Sequence, residues 1–237
     1  FLCSGSMVNT TALDCRQYLL SALHCADGVS DSDLLLLQVR FNYERPWADI
    51  DEDGQPEWEE CGTGGFSSAH NRTGVFRLAD SNDNGGGGFS GSDFILLEVE
   101  DEIQAAWTPY FAGWDASGGG SATGVGIHHP AGDIKKISTY TSSLQSVWLG
   151  APGSHWEVEW VETTTNHGVT EGGSSGSPIF NSDKLVVGTL SAGLSACENG
   201  GAGNGTGPNE PDYYGKMDYH WSNNPNPEDE KLKEWLD

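Results

Sequence analysis

The chain has 237 residues, with 35 Asp and Glu against 11 Lys and Arg and a formal net charge of −24. Its one adjacent basic pair is Lys135-Lys136, whereas nucleic acid and anionic lipid both require a clustered basic face, so those partners are excluded. No purely apolar run exceeds that from Leu34 to Leu37, far short of the ~18 residues of a membrane span.

Glycine, at 33 residues, is about twice its usual ~7% share, and helix formers do not dominate. Both features predict a turn-rich, all-β chain of one or two domains. The chain opens at Phe1 with neither a basic n-region nor an apolar h-region, so any export signal is expected to be already removed or to lie upstream. The five cysteines, Cys3, Cys15, Cys25, Cys61 and Cys197, form no CxxC pair. They read as disulfide partners from an oxidising compartment, with at least one unpaired within this chain. Sequons at Asn9, Asn71 and Asn204 fit exposure outside the cell but are short enough to arise by chance.

Short apolar or alternating segments at 18–23, 34–43, 94–99, 124–129, 155–161, 178–180 and 186–191 are separated by Gly, Asn, Asp and Ser clusters, which is strand spacing. The first, Tyr18 to Leu23, predicts a strand ending at His24-Cys25. A His there is most often a polar tip at the core's edge. An acidic insertion follows at 44–60. Within it Asp49-Ile50-Asp51-Glu52-Asp53-Gly54, five further residues and Glu60 match the twelve-residue D-x-D-x-D-G-x5-E calcium loop. Asp49, Asp51 and Asp53 would converge on one ion, Gln55 would offer its carbonyl, Glu60 would bind bidentately, and Gly54 permits the turn. No amphipathic helix precedes Asp49 and Pro56 takes the eighth position, so this would be a stand-alone structural Ca2+ loop. The competing reading is a solvated acidic insertion. A second inserted loop, Asp80 to Gly91, repeats half of the pattern but has Gly91 at its twelfth position, and a site is not expected there.

Next, Gly91-Ser92-Asp93 places a carboxylate directly before the apolar strand 94–99, where it is costly unless hydrogen-bonded. His128 and His129 are adjacent and point to opposite faces of their strand, poor geometry for a shared metal. His70, His155, His167 and His220 are expected at the surface or a cleft edge. His155 to Trp160 alternates as a half-buried antiparallel strand should. Gly172-Gly173-Ser174-Ser175-Gly176-Ser177-Pro178 is a glycine-rich turn entering a strand. At the C-terminus, Asn226 as cap, Pro227 in the first turn and acids at 228–230 predict a helix whose Leu232, Trp235 and Leu236 share one packing face.

Taken singly these segments are ordinary, but together they supply a base, an orienting carboxylate and a hydroxyl nucleophile in the order His24, Asp93, Ser175. That order resembles the chymotrypsin-like serine proteases, not the α/β-hydrolases or subtilisins. More narrowly, Gly126-Ile127-His128-His129-Pro130, Gly168-Val169-Thr170-Glu171, Ser174-Ser175-Gly176-Ser177-Pro178, Asp212-Tyr213-Tyr214-Gly215 and Glu234-Trp235-Leu236-Asp237 resemble the secreted bacterial lysyl endopeptidases. The likeness runs nearly end to end, with 44–60 and 198–208 fitting least.

The resemblance implies an all-β fold of two six-stranded antiparallel barrels, residues 1–110 carrying His24 and Asp93 and residues 111–226 carrying Ser175, followed by a C-terminal helix at 227–237. It implies an extracellular serine endopeptidase in which Gly173 and Ser175 N–H groups form the oxyanion hole. Asp212 would bind the substrate cation, Lys in preference to Arg, behind a pocket wall that includes Ser191 and Gly193, since Val169 fills the place of the acid that trypsin uses. It implies a Cys3–Cys25 disulfide and pairing of Cys61 and Cys197 with cysteines upstream; Cys15 has no counterpart, and Cys61 is its alternative partner. Family chains normally begin earlier, which implies a missing first strand. Ser174 stands where trypsin-like enzymes place the Asp that receives a new N-terminal amine, so that activating ion pair is not expected. The expected partners are protein or peptide substrates of a monomer, and no cofactor is expected in catalysis. The alternatives are a catalytically inactive protease-like binding module and a calcium-dependent structural β-domain.

Overall fold

The computed structural model describes residues 2–44, 70–81, 91–164, 167–197 and 207–237. The proposed calcium ligands Asp49, Asp51, Asp53, Gln55 and Glu60, and also Cys61, lie outside these.

The architecture is all-β and antiparallel, the expected class. In the first half β1 (Ser6–Val8), β2 (Tyr18–Ser21), β5 (Val75–Asp80) and β6 (Ile95–Val99) form one sheet in the order β1-β2-β6-β5, while β3 (Gln38–Arg40) pairs with β4 (Asn71–Thr73). The second half is a seven-stranded sheet in the order β8-β7-β11-β12-β13-β10-β9, built from β7 (Gly124–His128), β8 (Lys136–Tyr140), β9 (Gln145–Leu149), β10 (Ala151–Val158), β11 (Pro178–Phe180), β12 (Val186–Gly193) and β13 (Asp212–Lys216). Among the described residues the first half thus holds six strands, shared between two sheets. The described residues of the second half hold seven strands, with Gly150, at φ +84°, reversing the chain between β9 and β10.

Phe94 to Leu97, leading into and forming most of β6, is a continuous apolar run because both faces of the chain are covered there. Ile95, Leu97 and Val99 pack with Met7, Leu34 and Val75, while Phe94 and Leu96 pack with Val8, Leu20 and the C-terminal Leu232 and Leu236. Burying each of those two leucines contributes about 2 kcal/mol, which fixes the C-terminus on the first-half sheet. The expected continuous helix at 227–237 does not form. A 3-10 turn at Glu228–Glu230 is separated from α2 (Lys233–Leu236) by extended backbone at Lys231. Asn226 does not cap it; its amide donates to the Asp80 carbonyl at 3.0 Å, so the segment is shaped by anchoring to β5 instead of by helix propensity.

Two other expectations need correction. The segment 34–43 is not one strand: Ser30 caps α1 (Asp31–Leu34), and only Gln38–Arg40 is extended. His155 and His220 are buried, not at the surface. The Ser154 hydroxyl bonds His155 Nδ1 at 2.7 Å, and burial pushes that imidazole down to about 4. His220 lies against Phe94 and is bonded by Ser92 and Thr189.

Candidate active site

Strands β2 and β6 are paired so that Ser21 faces Ile95, which brings the residues just beyond Ser21 beside the residue just before Ile95's neighbour Phe94. The strand ends at Ser21 and not at Leu23; His24 lies in a 3-10 turn, Leu23–Cys25. Asp93 closes against that turn: its carbonyl accepts Leu23 N–H at 3.2 Å, Oδ1 accepts the His24 backbone N–H at 2.9 Å, and Oδ2 lies 2.6 Å from His24 Nδ1. Asp93 is fully buried and holds φ at +58°, a left-handed conformation that Asp tolerates better than most side chains. Ser191 Oγ donates to Oδ2 at 2.7 Å. Burial raises the Asp93 pKa, and the bonds from His24 and Ser191 oppose that rise. The hydroxyl of Ser191, read from sequence as part of a pocket wall, is therefore turned to Asp93, a role that no sequence spacing discloses.

Ser175 sits half-buried in a turn stitched at both ends. Ser174 N–H donates to Glu171 O at 2.9 Å, Ser177 N–H to Ser174 O at 3.0 Å, and Gly176 N–H to Leu190 O at 2.8 Å, tying the turn to the strand that carries Ser191. Gly176 has φ +79°, and a Cβ on it would lie 2.1 Å from Ser21 Oγ and 2.6 Å from Ala22 N, so the turn is seated directly on the segment leading to His24. Gly173, at φ +101°, is closed in similarly, 2.9 Å from His129 O. Among the described residues, neither Gly173 N–H nor Ser175 N–H is taken by a backbone carbonyl, which leaves both available to an oxyanion.

Ser4, which sequence reasoning missed, grips the same turn from the first half. Its N–H donates to Ser175 O at 2.8 Å and its hydroxyl to Gly173 O at 2.9 Å. The Cys3–Cys25 disulfide is present and staples this segment beside His24. Cys15 and Cys197 are exposed and form no disulfide with another described residue, and the pairing of Cys61 lies outside the described residues.

Asp212 opens β13, paired on one side with Val158 and on the other with Gly193. It is fully buried. Oδ2 accepts from Trp160 Nε1 at 2.6 Å, Ser195 Oγ at 2.7 Å and Thr170 Oγ1 at 2.8 Å; Oδ1 accepts Ser195 N–H at 3.0 Å. None of these four donors is cationic, and burial raises the carboxyl's pKa against them. A Cβ at the exposed Gly193 would come within 2.5 Å of Oδ1, so only glycine leaves that oxygen approachable. The sequence singled out Asp212 and Gly193 but not Trp160, Thr170 and Ser195, whose types are too common to signal a shared partner.

Among the described residues no group of three or more His, Cys, Asp or Glu side chains is placed to hold a metal, and no helix is long and apolar enough to cross a membrane.

The family model described as "Lysyl endopeptidase, C-terminal domain" matches residues 1–215. A curated protein named lysyl endopeptidase, from Pseudomonas aeruginosa, is 26% identical over 181 residues, covering 76% of this chain and 34% of that protein. The chain therefore spans about a third of that relative's length.

Proposed function

The chain belongs to the lysyl endopeptidase family, a family of proteases, and from that premise we propose that it is a secreted serine endopeptidase cleaving after lysine, and less readily after arginine. In this reading Ser175 is the nucleophile, His24 the general base and then acid, and Asp93 the group that orients His24. Ser175 Oγ attacks the scissile carbonyl as His24 Nε2 takes its proton. The oxyanion gathers on the Gly173 and Ser175 N–H groups, and His24 returns the proton to the leaving amine. Water then repeats the sequence on the acyl-enzyme.

The observation that carries the reading is the buried Asp93 carboxylate 2.6 Å from His24 Nδ1, because a carboxylate on that nitrogen assigns the ring proton to it and makes Nε2 the accepting nitrogen. Export is supported by the Cys3–Cys25 bridge, which persists in oxidising compartments. A basic primary specificity is supported by Asp212, a buried acid with only neutral donors about it, for which an ammonium would be the compensating charge.

The test is labelling with a biotinylated organophosphonate beside hydrolysis of a lysyl peptide. Ser175→Ala should abolish the label and lower kcat by several orders of magnitude. His24→Ala should cost about as much, and the double variant little more, because the members act as a unit. Full activity in Ser175→Ala would sink the assignment. An unlabelled, inactive wild type would favour the inactive binding module.

The proposal extends to a structural Ca2+ on Asp49, Asp51, Asp53, Gln55 and Glu60. Chelation should then lower the melting temperature with little change in kcat, and a melting curve indifferent to chelator and to added calcium would remove it.

A further inference from the structure

Trypsin-like enzymes brace the nucleophile turn with an acid immediately before the serine, and this chain has Ser174 there. Ser174 is fully buried, and its hydroxyl lies 2.8 Å from Nδ1 of His128, itself 1% exposed, on β7. On the other side of the ring, Nε2 lies 3.0 Å from the hydroxyl of Ser138 on β8.

Counting donors gives the chain of bonds a direction. Ser138 Oγ donates its hydrogen to Val169 O at 3.3 Å, so it faces the ring with a lone pair and His128 Nε2 carries the ring proton. Nδ1 is then an acceptor. Ser174 Oγ already accepts the Glu171 N–H at 3.2 Å, so its own hydrogen goes to Nδ1. Every donor in the series from Glu171 N–H through Ser174 and from His128 through Ser138 to Val169 O has an acceptor, which a buried polar network needs if it is to rigidify and not destabilise. Burial keeps the imidazole neutral, with its pKa pushed down to about 4.

We propose that His128 is a positioning residue for the nucleophile turn, acting through the Ser174 hydroxyl, and that this neutral buried pair takes the bracing place of the acid in trypsin-like enzymes. The inference rests on the reading of Gly173 and Ser175 as oxyanion donors. Ser174 lies between those two residues, and its hydroxyl closes the turn back on Glu171, whose carbonyl also accepts Ser174 N–H. Without the bond to His128, the hydroxyl is free to rotate and the two N–H groups lose their fixed aim. Preorganisation of such donors governs transition-state stabilisation, where loss of one donor costs about 10²–10³-fold. Asp212, by contrast, has none of its bonds in this network, so ground-state binding of the lysyl side chain should stand.

The experiment compares Ser174→Ala, His128→Leu, His128→Asn and the Ser174→Ala/His128→Leu double variant in the whole chain. It reads kcat and KM on a lysyl peptide amide, the inhibition constant of a peptide ending in lysinal, and the melting temperature. Ser174→Ala and His128→Leu should each lower kcat about 10–100-fold with KM within about threefold. Lysinal affinity, which depends on the oxyanion site, should fall in step. The double variant should be no slower than the worse single one, as expected for two members of one chain of bonds. Asn at 128 can present its side-chain oxygen near the Nδ1 position and should recover most of the rate. Ser174→Ala removes a single oxygen and keeps the result decisive if His128→Leu does not fold. A kcat within twofold of wild type in Ser174→Ala, with Ser175→Ala inactive, would overturn the inference alone. So would a loss confined to KM or to melting temperature. An active Ser175→Ala enzyme would instead overturn the reading beneath it, and this inference with it.

Discussion

Asp93→Asn should lower kcat on a lysyl substrate by about 10⁴-fold at neutral pH, with KM little changed and the fold intact. The fold should survive because Asn is as comfortable as Asp at the φ of +58° found here. The rate should not, and the hydrogen bonds say why. Asp93 Oδ1 accepts the backbone N–H of His24, a donor that cannot reverse, so an Asn must place its oxygen there and its NH2 at the position of Oδ2. That NH2 faces His24 Nδ1 and the Ser191 hydroxyl. The hydroxyl can rotate, but Nδ1 must become an acceptor, which moves the ring proton to Nε2. His24 then presents N–H to Ser175 and cannot take its proton. Steady-state kinetics from pH 6 to 9, alongside thermal unfolding, would check this, and a loss under tenfold in a well-folded variant would remove Asp93 from the mechanism.

The reach of the sequence follows the physics of each feature. The proposed His24, Asp93 and Ser175 stood out in the sequence because, of the several chain orders in which these three residue types occur, theirs matches one fold, and because the flanking runs, Tyr18 to Leu23 and Phe94 to Val99, are largely apolar, as paired strands with a buried face are. Strand positions were legible for the same reason. What failed was local structure set by distant contacts. Nothing near Asn226 announces that its amide is claimed by Asp80, and helix signals at 226–236 were overridden by the docking of Leu232 and Leu236 on β6. His155 and His220 looked like surface residues because polarity is read one residue at a time, whereas Ser154, Thr189 and Ser92 make their burial tolerable. Ser4 and the bond from Ser191 to Asp93 went unread for a similar reason: a serine's partner is fixed by folding, and its neighbours in sequence do not reveal it.

Asp212→Asn should cut kcat/KM for a lysyl substrate by about 10²–10³-fold, the scale expected when one partner of a desolvated charge pair is removed, and should flatten the preference for lysine over an uncharged side chain. In the wild-type protein the carboxylate is buried with only neutral donors. Its cost of burial is met in part by those bonds, and in the proposed reading the substrate's ammonium would supply the compensating charge. The same variant should also lower the melting temperature. An Asn cannot satisfy the site in either orientation, because its NH2 would meet Trp160 N–H at one oxygen position or Ser195 N–H at the other, and both are fixed donors. The two effects separate by ratio: a merely destabilised enzyme loses activity on every substrate alike, whereas loss of the charge changes the order among them. Acid offers a second handle without any mutation. Because burial raises the Asp212 pKa, the free pocket loses its charge at a higher pH than an ordinary Asp would. As pH falls through that raised value, KM for a lysyl substrate should climb while KM for an uncharged analogue holds, whatever His24 does to the shared kcat. Profiles on matched substrates differing only in the residue before the scissile bond would check this. An unchanged profile in Asp212→Asn, or cleavage by the wild type after glutamate instead, would refute the assignment of the pocket.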